Sequence, residues 1–147
     1  MRKKDRRQGV ARKAVVLEAK ERDARERALA CLNAALEKKA KNLVLLKVEE
    51  LSAFTDYFVI CSGSSDRQVQ AIASSIREKM KEAGILPLGV EGEAHGQWIL
   101  MDYEDVVVHI FYEPLREFYD IERLWSDAPR MEVDENIIKL TALKEDL

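Results

Sequence analysis

Histidine and cysteine are the residues of this chain that are best suited to bind a metal ion. His95 and His109 could join Cys31 and Cys61 as four zinc ligands, because zinc in proteins prefers imidazole and thiolate groups. The cysteines, however, lack the CxxC spacing of a zinc site and lie in apolar surroundings, which also gives no sign of a disulfide framework. We therefore predict no metal site and no cofactor, and a reducing, cytoplasmic location.

Hydroxyl and carboxylate groups raise two further enzymatic hypotheses. Gly63-Ser64-Ser65 resembles a phosphate-cradling turn between a strand and a helix, but no GxGxxG motif or Walker lysine accompanies it. Nucleotidyl transfer needs paired carboxylates to hold metal ions, and Asp56 and Asp102 do not form such a pair in the sequence. No GxSxG signature supports a nucleophile at Cys61 or Ser62. We predict a protein that is not an enzyme, with a nucleotide-handling enzyme as the alternative.

The hydrophobic pattern predicts an α/β domain in which helices flank a mixed, five-stranded sheet. Strands are predicted over Leu43–Val48, Tyr57–Cys61, Leu86–Val90, Trp98–Tyr103 and Val106–Tyr112, and helices over residues 24–41, 66–83 and 115–125. Because Pro87 cannot donate a hydrogen bond, the third strand is expected to lie near an edge or to begin late. Ser65 is the predicted N-cap of the second helix, and Gly84 is the predicted residue after its end. The strand–helix–strand order favours a parallel crossover, whereas the Glu104-Asp105 turn predicts a tight hairpin.

The hairpin turn also assigns the side chains of the last two strands to the two faces of the sheet. Counting from Glu104-Asp105 pairs Trp98 with Phe111, and Leu100 with His109. One face then carries the aliphatic residues Ile99, Met101, Val108 and Ile110, and the other carries Trp98, Leu100, Asp102, Val107, His109 and Phe111. The second set is typical of a protein-binding surface or a ligand floor, and the alternative is that a helix covers it as ordinary core.

Charge divides the chain into an extension, a domain and a tail. Residues 1–27 have 11 Lys/Arg and 5 Asp/Glu, a balance of +6, so the remaining 120 residues have a balance of −9. We predict a basic extension over 1–27, a domain over 28–128, and an acidic tail over 129–147 with a short helix at 137–143. An acidic domain suits a basic protein partner, and the extension could contact RNA or simply be solvated charge. The sequence contains no apolar run long enough to predict a membrane span.

Several ordered sequence blocks resemble the ribosomal silencing factor, or Iojap-like, family. The resemblance runs from Leu32 to Ala128. Its blocks are DYFVICSG at 56–63, RQVQAIA at 67–73, GVEG at 89–92, WILMDYEDVVVHIF at 98–111, and RxFY with IERLWSDA within 116–128. The resemblance implies a nucleotidyltransferase-like fold without transferase chemistry. It does not extend to the basic extension or to the tail.

The resemblance also implies a function and a partner. It implies binding to the L-fourteen protein on the interface side of the large ribosomal subunit, so that the small subunit cannot join and translation is repressed. Organellar members of the family do related work in large-subunit assembly. A homodimeric adaptor is the alternative from another class, and contact of the basic extension with ribosomal RNA stays open.

The predicted partner-binding residues combine the second sheet face, nearby carboxylates and the closing helix. They are Glu91, Trp98, Leu100, Asp102, His109, Phe111, Glu113, Arg116, Tyr119 and Trp125. The aromatic rings are expected to anchor a partner, and the acidic residues to attract a basic one. For Tyr119 and Trp125 the alternative is that the helix turns them into the core.

Overall fold

The structure is a computed structural model that describes residues 22–133. The elements in chain order are α1 (residues 22–37), β1 (Lys41–Lys47), β2 (Tyr57–Gly63), α2 (Asp66–Glu82), β3 (Gly89–Glu91), β4 (Trp98–Asp102), β5 (Val106–Tyr112), α3 (Glu113–Tyr119), α4 (Ile121–Leu124) and β6 (Arg130–Val133). No helix among these residues is long and apolar enough to cross a membrane. The predicted tail helix at 137–143 and most of the basic extension lie outside the described residues.

The strands form one mixed sheet in the order β3-β4-β5-β2-β1-β6. β2 and β5 are parallel neighbours, and every other neighbouring pair is antiparallel. The predicted hairpin register is confirmed, because Trp98 pairs with Phe111, Leu100 with His109 and Asp102 with Val107. β3 and β6 therefore form the two edges of the described sheet.

The helices cover the two faces of the sheet unequally. α1 and α2 pack on the first face over a large core that includes Leu32, Ile72, Val59 and Ile110. α3 contacts β5 and β2, and Ile121 of α4 and Trp125 pack against a smaller core on the second face, built around Phe58, Ile60 and Phe111. Leu100, farther along β4 on that second face, remains partly exposed.

The predicted caps of α2 are confirmed. The Ser65 side chain accepts a hydrogen bond from the backbone N–H of Gln68, three residues on, which satisfies a free donor of the first turn. Gly84 follows the C-cap with φ +78°, the left-handed conformation that glycine adopts without steric cost. α2 thus begins and ends where its sequence predicts.

Three elements differ from their sequence predictions. The sheet has six strands and not five, because Arg130–Val133, assigned to the tail, pairs antiparallel with β1. α1 ends at residue 37 and not near 41, since Lys39 adopts φ +59°. The closing helix is two helices, broken at Asp120, which has φ +43°. The third strand, by contrast, is an edge strand that begins late, at Gly89, as expected from Pro87, which lacks an N–H for strand pairing.

Candidate protein-binding surface

Trp98 lies at the start of β4, at the centre of a cluster of rings on the second face. Its indole stacks on Phe111 with ring centroids 4.9 Å apart and an interplanar angle of 27°. Tyr119 of α3 lies 4.8 Å from the same indole, and Trp98 Nε1–H donates a 3.2 Å hydrogen bond to His109 Nδ1. Trp98 is partly exposed although its ring has three partners. The indole is therefore held in one orientation and still reaches the surface, as an interface anchor must.

Phe58 joins Trp125, the residue that ends α4, to this ring cluster. It makes edge-to-face contacts with His109, with centroids 5.0 Å apart, and with Trp125, with centroids 4.9 Å apart. We did not single out Phe58 from the sequence, although its alternation with Ile60 in YFVIC places both residues on one face of β2. Phe58 therefore positions Trp125 after α4 against the same sheet face that carries Trp98.

His109 is buried and electrically neutral within this cluster. Burial lowers the pKa of its imidazole from 6.5 to about 4, because the apolar rings around it disfavour the charged form. Since Nδ1 accepts the hydrogen bond from Trp98, the neutral ring carries its proton on Nε2. Nε2 has no hydrogen-bond partner among the described residues. His109 thus orients Trp98 and cannot supply a positive charge at neutral pH.

The buried imidazole predicts that the protein loses stability in mild acid. The unfolded chain binds a proton near pH 6.5 but the folded chain only near pH 4, so stability falls as pH drops through this window. We expect this term to cost about 2 kcal/mol by pH 5. His109→Gln, which keeps a hydrogen-bond acceptor for Trp98, should unfold in urea with a smaller loss between pH 7 and pH 5. Equal pH dependence of variant and wild type would contradict the neutral, buried assignment.

The predicted site residues separate into an exposed group and a supporting group. Phe111 and His109 are buried at 0% and 6% exposure, so they lie beneath the surface and not on it as predicted. Tyr119 is 47% exposed, whereas Trp125 is half-buried and packs against the core around Phe58, so the core alternative holds in part for Trp125 and not for Tyr119. We call the residues that reach the surface the aromatic surface: Trp98, Leu100, Asp102, Tyr119 and Trp125.

Carboxylates lie around the aromatic surface. Glu91 pairs with Leu100 across β3 and β4, which places both side chains on the same face. Glu113 is exposed at the start of α3, and Asp102 accepts a hydrogen bond from the backbone N–H of Glu104. The second face therefore combines large rings with negative charge, a combination that suits a basic protein.

Arg116, one of the predicted partner-binding residues, is largely buried and supports α3. Nε and Nη2 form a two-point ion pair with Glu122 at 3.0 and 3.2 Å. Nη1 donates to the carbonyl of Asn42 at 2.6 Å and to Ser62 Oγ at 2.9 Å, and only 11% of the side chain is exposed. Burial by itself would raise the pKa of Glu122, but Arg116 and Arg130 outweigh it, so that pKa lies below its ordinary value. Arg116 thus ties α3 and α4 to the sheet.

Beside Arg116, a cleft of about 620 Å³ opens at the carboxyl ends of β2 and β5. Glu113, Glu117 and Asp120 line it and are exposed, while its arginines, Arg116 and Arg130, are both ion-paired. This cleft therefore adds to the negative charge next to Tyr119.

Phe118 and Leu124, which we did not predict as binding residues, expose 77% and 80% of their surface on α3 and α4. Their signal in the sequence is only their helical spacing, which equally fits a buried position.

The groups considered for chemistry are placed apart or buried. Cys31 and Cys61 are free, buried thiols, and burial raises the pKa of each to about 12. Among residues 22–133, no cluster of three or more His, Cys, Asp or Glu residues is arranged to hold a metal ion. The Ser65 hydroxyl of the phosphate-like turn serves as the cap of α2. Among the candidate sites considered on the described residues, the aromatic surface is thus the best supported.

The fold and this surface define a small α/β protein with aromatic rings and carboxylates on one face of its sheet. The family model described as "Ribosomal silencing factor during starvation" matches residues 21–146. A ribosomal silencing factor from Bacillus subtilis is 44% identical over 98 residues, covering 67% of this chain and 83% of the relative. The chloroplastic Iojap protein of Zea mays is 33% identical over 106 residues, covering 72% of this chain and 46% of that protein.

A solved structure agrees with these sequence relatives. The crystal structure of a Chromobacterium violaceum protein has a TM-score of 0.68 and 37% sequence identity, covering 69% of this chain and 85% of the other. The chain belongs to the ribosomal silencing factor family. The Bacillus subtilis relative is named as a ribosomal silencing factor and not as an enzyme, and membership of this family supports a ribosome-associated silencing role.

Proposed function

We propose that this protein binds the L-fourteen protein of the large ribosomal subunit in the cytoplasm and sterically blocks joining of the small subunit. The observation that carries the proposal is the aromatic surface, where Trp98 is held by three ring partners yet remains partly exposed. Anchors of this kind supply most of the binding energy of protein interfaces. Family membership supplies the ribosome as the setting.

Charge supports a basic ribosomal protein as the partner. Glu91 and Asp102 lie on the same sheet face as Leu100, and Glu113 is exposed beside α3. Ribosomal proteins contact RNA and are accordingly rich in Lys and Arg, so these carboxylates would speed encounter and select the correct partner. The proposed binding should therefore weaken as the salt concentration rises.

The proposal places the activity in binding and not in catalysis. The protein would act in repression of translation, and assistance to large-subunit assembly is an extension of the same contact. Incorporation of a nucleotide that depends on metal and is lost on Asp102→Ala or Asp56→Ala would instead support the enzymatic alternative. A dimer that persists while ribosome binding is absent would support the adaptor alternative.

Co-sedimentation with separated ribosomal particles tests this proposal. We expect the purified protein to pellet with free large subunits, and to pellet far less with small subunits or with joined ribosomes, because joining covers the proposed site. Binding to isolated L-fourteen protein should accompany binding to the large subunit. Equal recovery with all three particles would contradict the proposal.

A further inference from the structure

Four exposed cations near the start of α2 are not used by the proposed contact with L-fourteen. Lys38 and Lys39 lie in the turn between α1 and β1, Lys41 is the first residue of β1, and all three are exposed. The Gln68 side chain of α2 donates hydrogen bonds of 3.1 Å to the carbonyls of Lys38 and Lys39, which joins this turn to the first turn of α2, where the exposed Arg67 lies. We call Lys38, Lys39, Lys41 and Arg67 the basic corner.

The basic corner is held in place by the fold. The Gln68 side chain that bonds the turn also accepts a hydrogen bond from the backbone N–H of Ser64, so one side chain joins the turn to the start of α2. Lys39 in the turn and Asn42 in β1 have positive φ angles, 59° and 52°, and the pairing of β1 with β2 shifts register between Lys41 and Val44. The backbone that carries the four cations is therefore fixed before any partner binds.

The cations of the basic corner form no ion pair with any residue from 22 to 133. This distinguishes them from Arg27, Arg77, Arg116 and Arg130, each of which pairs with a carboxylate. Two acidic residues are next to these cations in the sequence: Glu37 at the end of α1 and Asp66 at the start of α2. The Asp66 carboxylate already accepts a hydrogen bond from the backbone N–H of Arg67. In a domain that is acidic elsewhere, four adjacent cations thus keep a positive excess.

The basic corner and the aromatic surface share one end of the molecule. The loop before Trp98 packs on the first turn of α2 so closely that a Cβ on Gly96 would lie 2.6 Å from the carbonyl oxygen of Asp66. On the other side, the carbonyl of Asn42, next to Lys41, accepts a hydrogen bond from Arg116 of α3. If a ribosomal protein is bound to Trp98 and Tyr119, the parts of the ribosome next to that protein would therefore lie near the basic corner.

We propose that the basic corner binds phosphates of ribosomal RNA next to the protein that occupies the aromatic surface. This inference rests on the proposed function, since it takes the large subunit as the partner. Lysine and arginine supply the sequence-independent, phosphate-directed part of RNA binding. The factor would then bind one particle through two contacts, one to protein through aromatic rings and one to RNA through charged side chains. It would also favour the assembled subunit over the free ribosomal protein.

The test compares two targets, isolated L-fourteen protein and whole large subunits, with the full-length chain. The variant Lys38→Gln/Lys41→Gln/Arg67→Gln leaves Lys39 with its positive φ unchanged and removes three charges. We expect its affinity for large subunits to fall at least about tenfold at ~0.1 M salt, and its log–log salt dependence to become shallower by about 2. Its affinity for isolated L-fourteen should equal that of the wild type.

The matched control is Lys79→Gln/Lys81→Gln, which neutralises two exposed lysines in the last turn of α2, at the far end of that helix. This control should leave both affinities unchanged, and equal thermal midpoints would show that all variants fold. Equal losses on both targets would mean that the basic corner contacts protein, and no loss on large subunits would mean that it contacts nothing there. Either result overturns the inference.

The wild type separates this inference from the proposed function. Binding to large subunits but not to isolated L-fourteen would overturn the proposed partner, while the tenfold loss and the salt slope would still decide the role of the basic corner. Absence of any binding to large subunits would overturn both.

Discussion

Trp98→Ala is expected to weaken binding to the large ribosomal subunit by about thirtyfold, or ~2 kcal/mol. The indole is the only ring of the cluster that touches Phe111, Tyr119 and His109 at once and is still partly exposed. Its removal takes away a preorganised apolar anchor at the centre of the aromatic surface. Co-sedimentation at increasing subunit concentration measures the loss directly.

This variant will also lose packing, so two controls are needed. Phe54→Ala removes a ring that is 90% exposed on the loop between β1 and β2, away from Trp98, and should leave affinity unchanged. Ile72→Ala opens a cavity in the core on the opposite face of the sheet, and should lower the thermal midpoint more than the affinity. If Trp98→Ala changes only stability and keeps wild-type affinity, Trp98 is a core residue and the aromatic surface is not the contact.

The sheet could be predicted from the sequence where local chemistry decides it. The short turn at Glu104-Asp105 and strict alternation on both sides fix the register of β4 and β5 to the residue, because a slip by one would reverse both faces. Ser65 and Gly84 mark the ends of α2 for equally local reasons. β6 escaped prediction because only Val133 of its four residues is buried, so it has no detectable alternation.

The site was harder to predict, because alternation assigns a residue to a face but not to a covered or an open part of it. Ile121 of α4 and Trp125 pack against the core that contains Phe58 and Phe111, whereas Leu100 stays partly exposed. Their position depends on Asp120, whose left-handed conformation separates α4 from α3 and is not implied by hydrophobic spacing. The nucleotidyltransferase-like topology and the division at residues 27 and 128 stay predictions.

Arg116 shows the same limit for charged residues. Its partner Glu122 is six residues away, across the break between α3 and α4, and not at the i+4 spacing that a continuous helix would use. A sequence pattern cannot distinguish this buried ion pair from two free surface charges. The two exposed rings beyond it, Phe118 and Tyr119, contact each other edge-to-face at 5.2 Å and extend the surface that Trp98 begins.

The second large effect is expected on subunit joining: large subunits saturated with the protein should yield at least about tenfold fewer joined ribosomes. A domain of this length has a radius of gyration of ~15 Å, too small to surround a subunit, so it can act only by occupying volume that the small subunit requires. Inhibition is then a competition between two ligands for one face. Light scattering after mixing the subunits measures the yield and the rate.

If the protein competes with the small subunit for one face of the large subunit, further results are expected. Excess small subunit should restore joining, Trp98→Ala should inhibit only at concentrations raised by its loss of affinity, and Phe54→Ala should inhibit like the wild type. Ribosomes that have already joined and are elongating should continue nearly unaffected, because their interface face is covered. If elongating ribosomes are inhibited as strongly as free subunits, the protein acts on a site that stays open after joining, and steric exclusion is the wrong mechanism even though the protein binds.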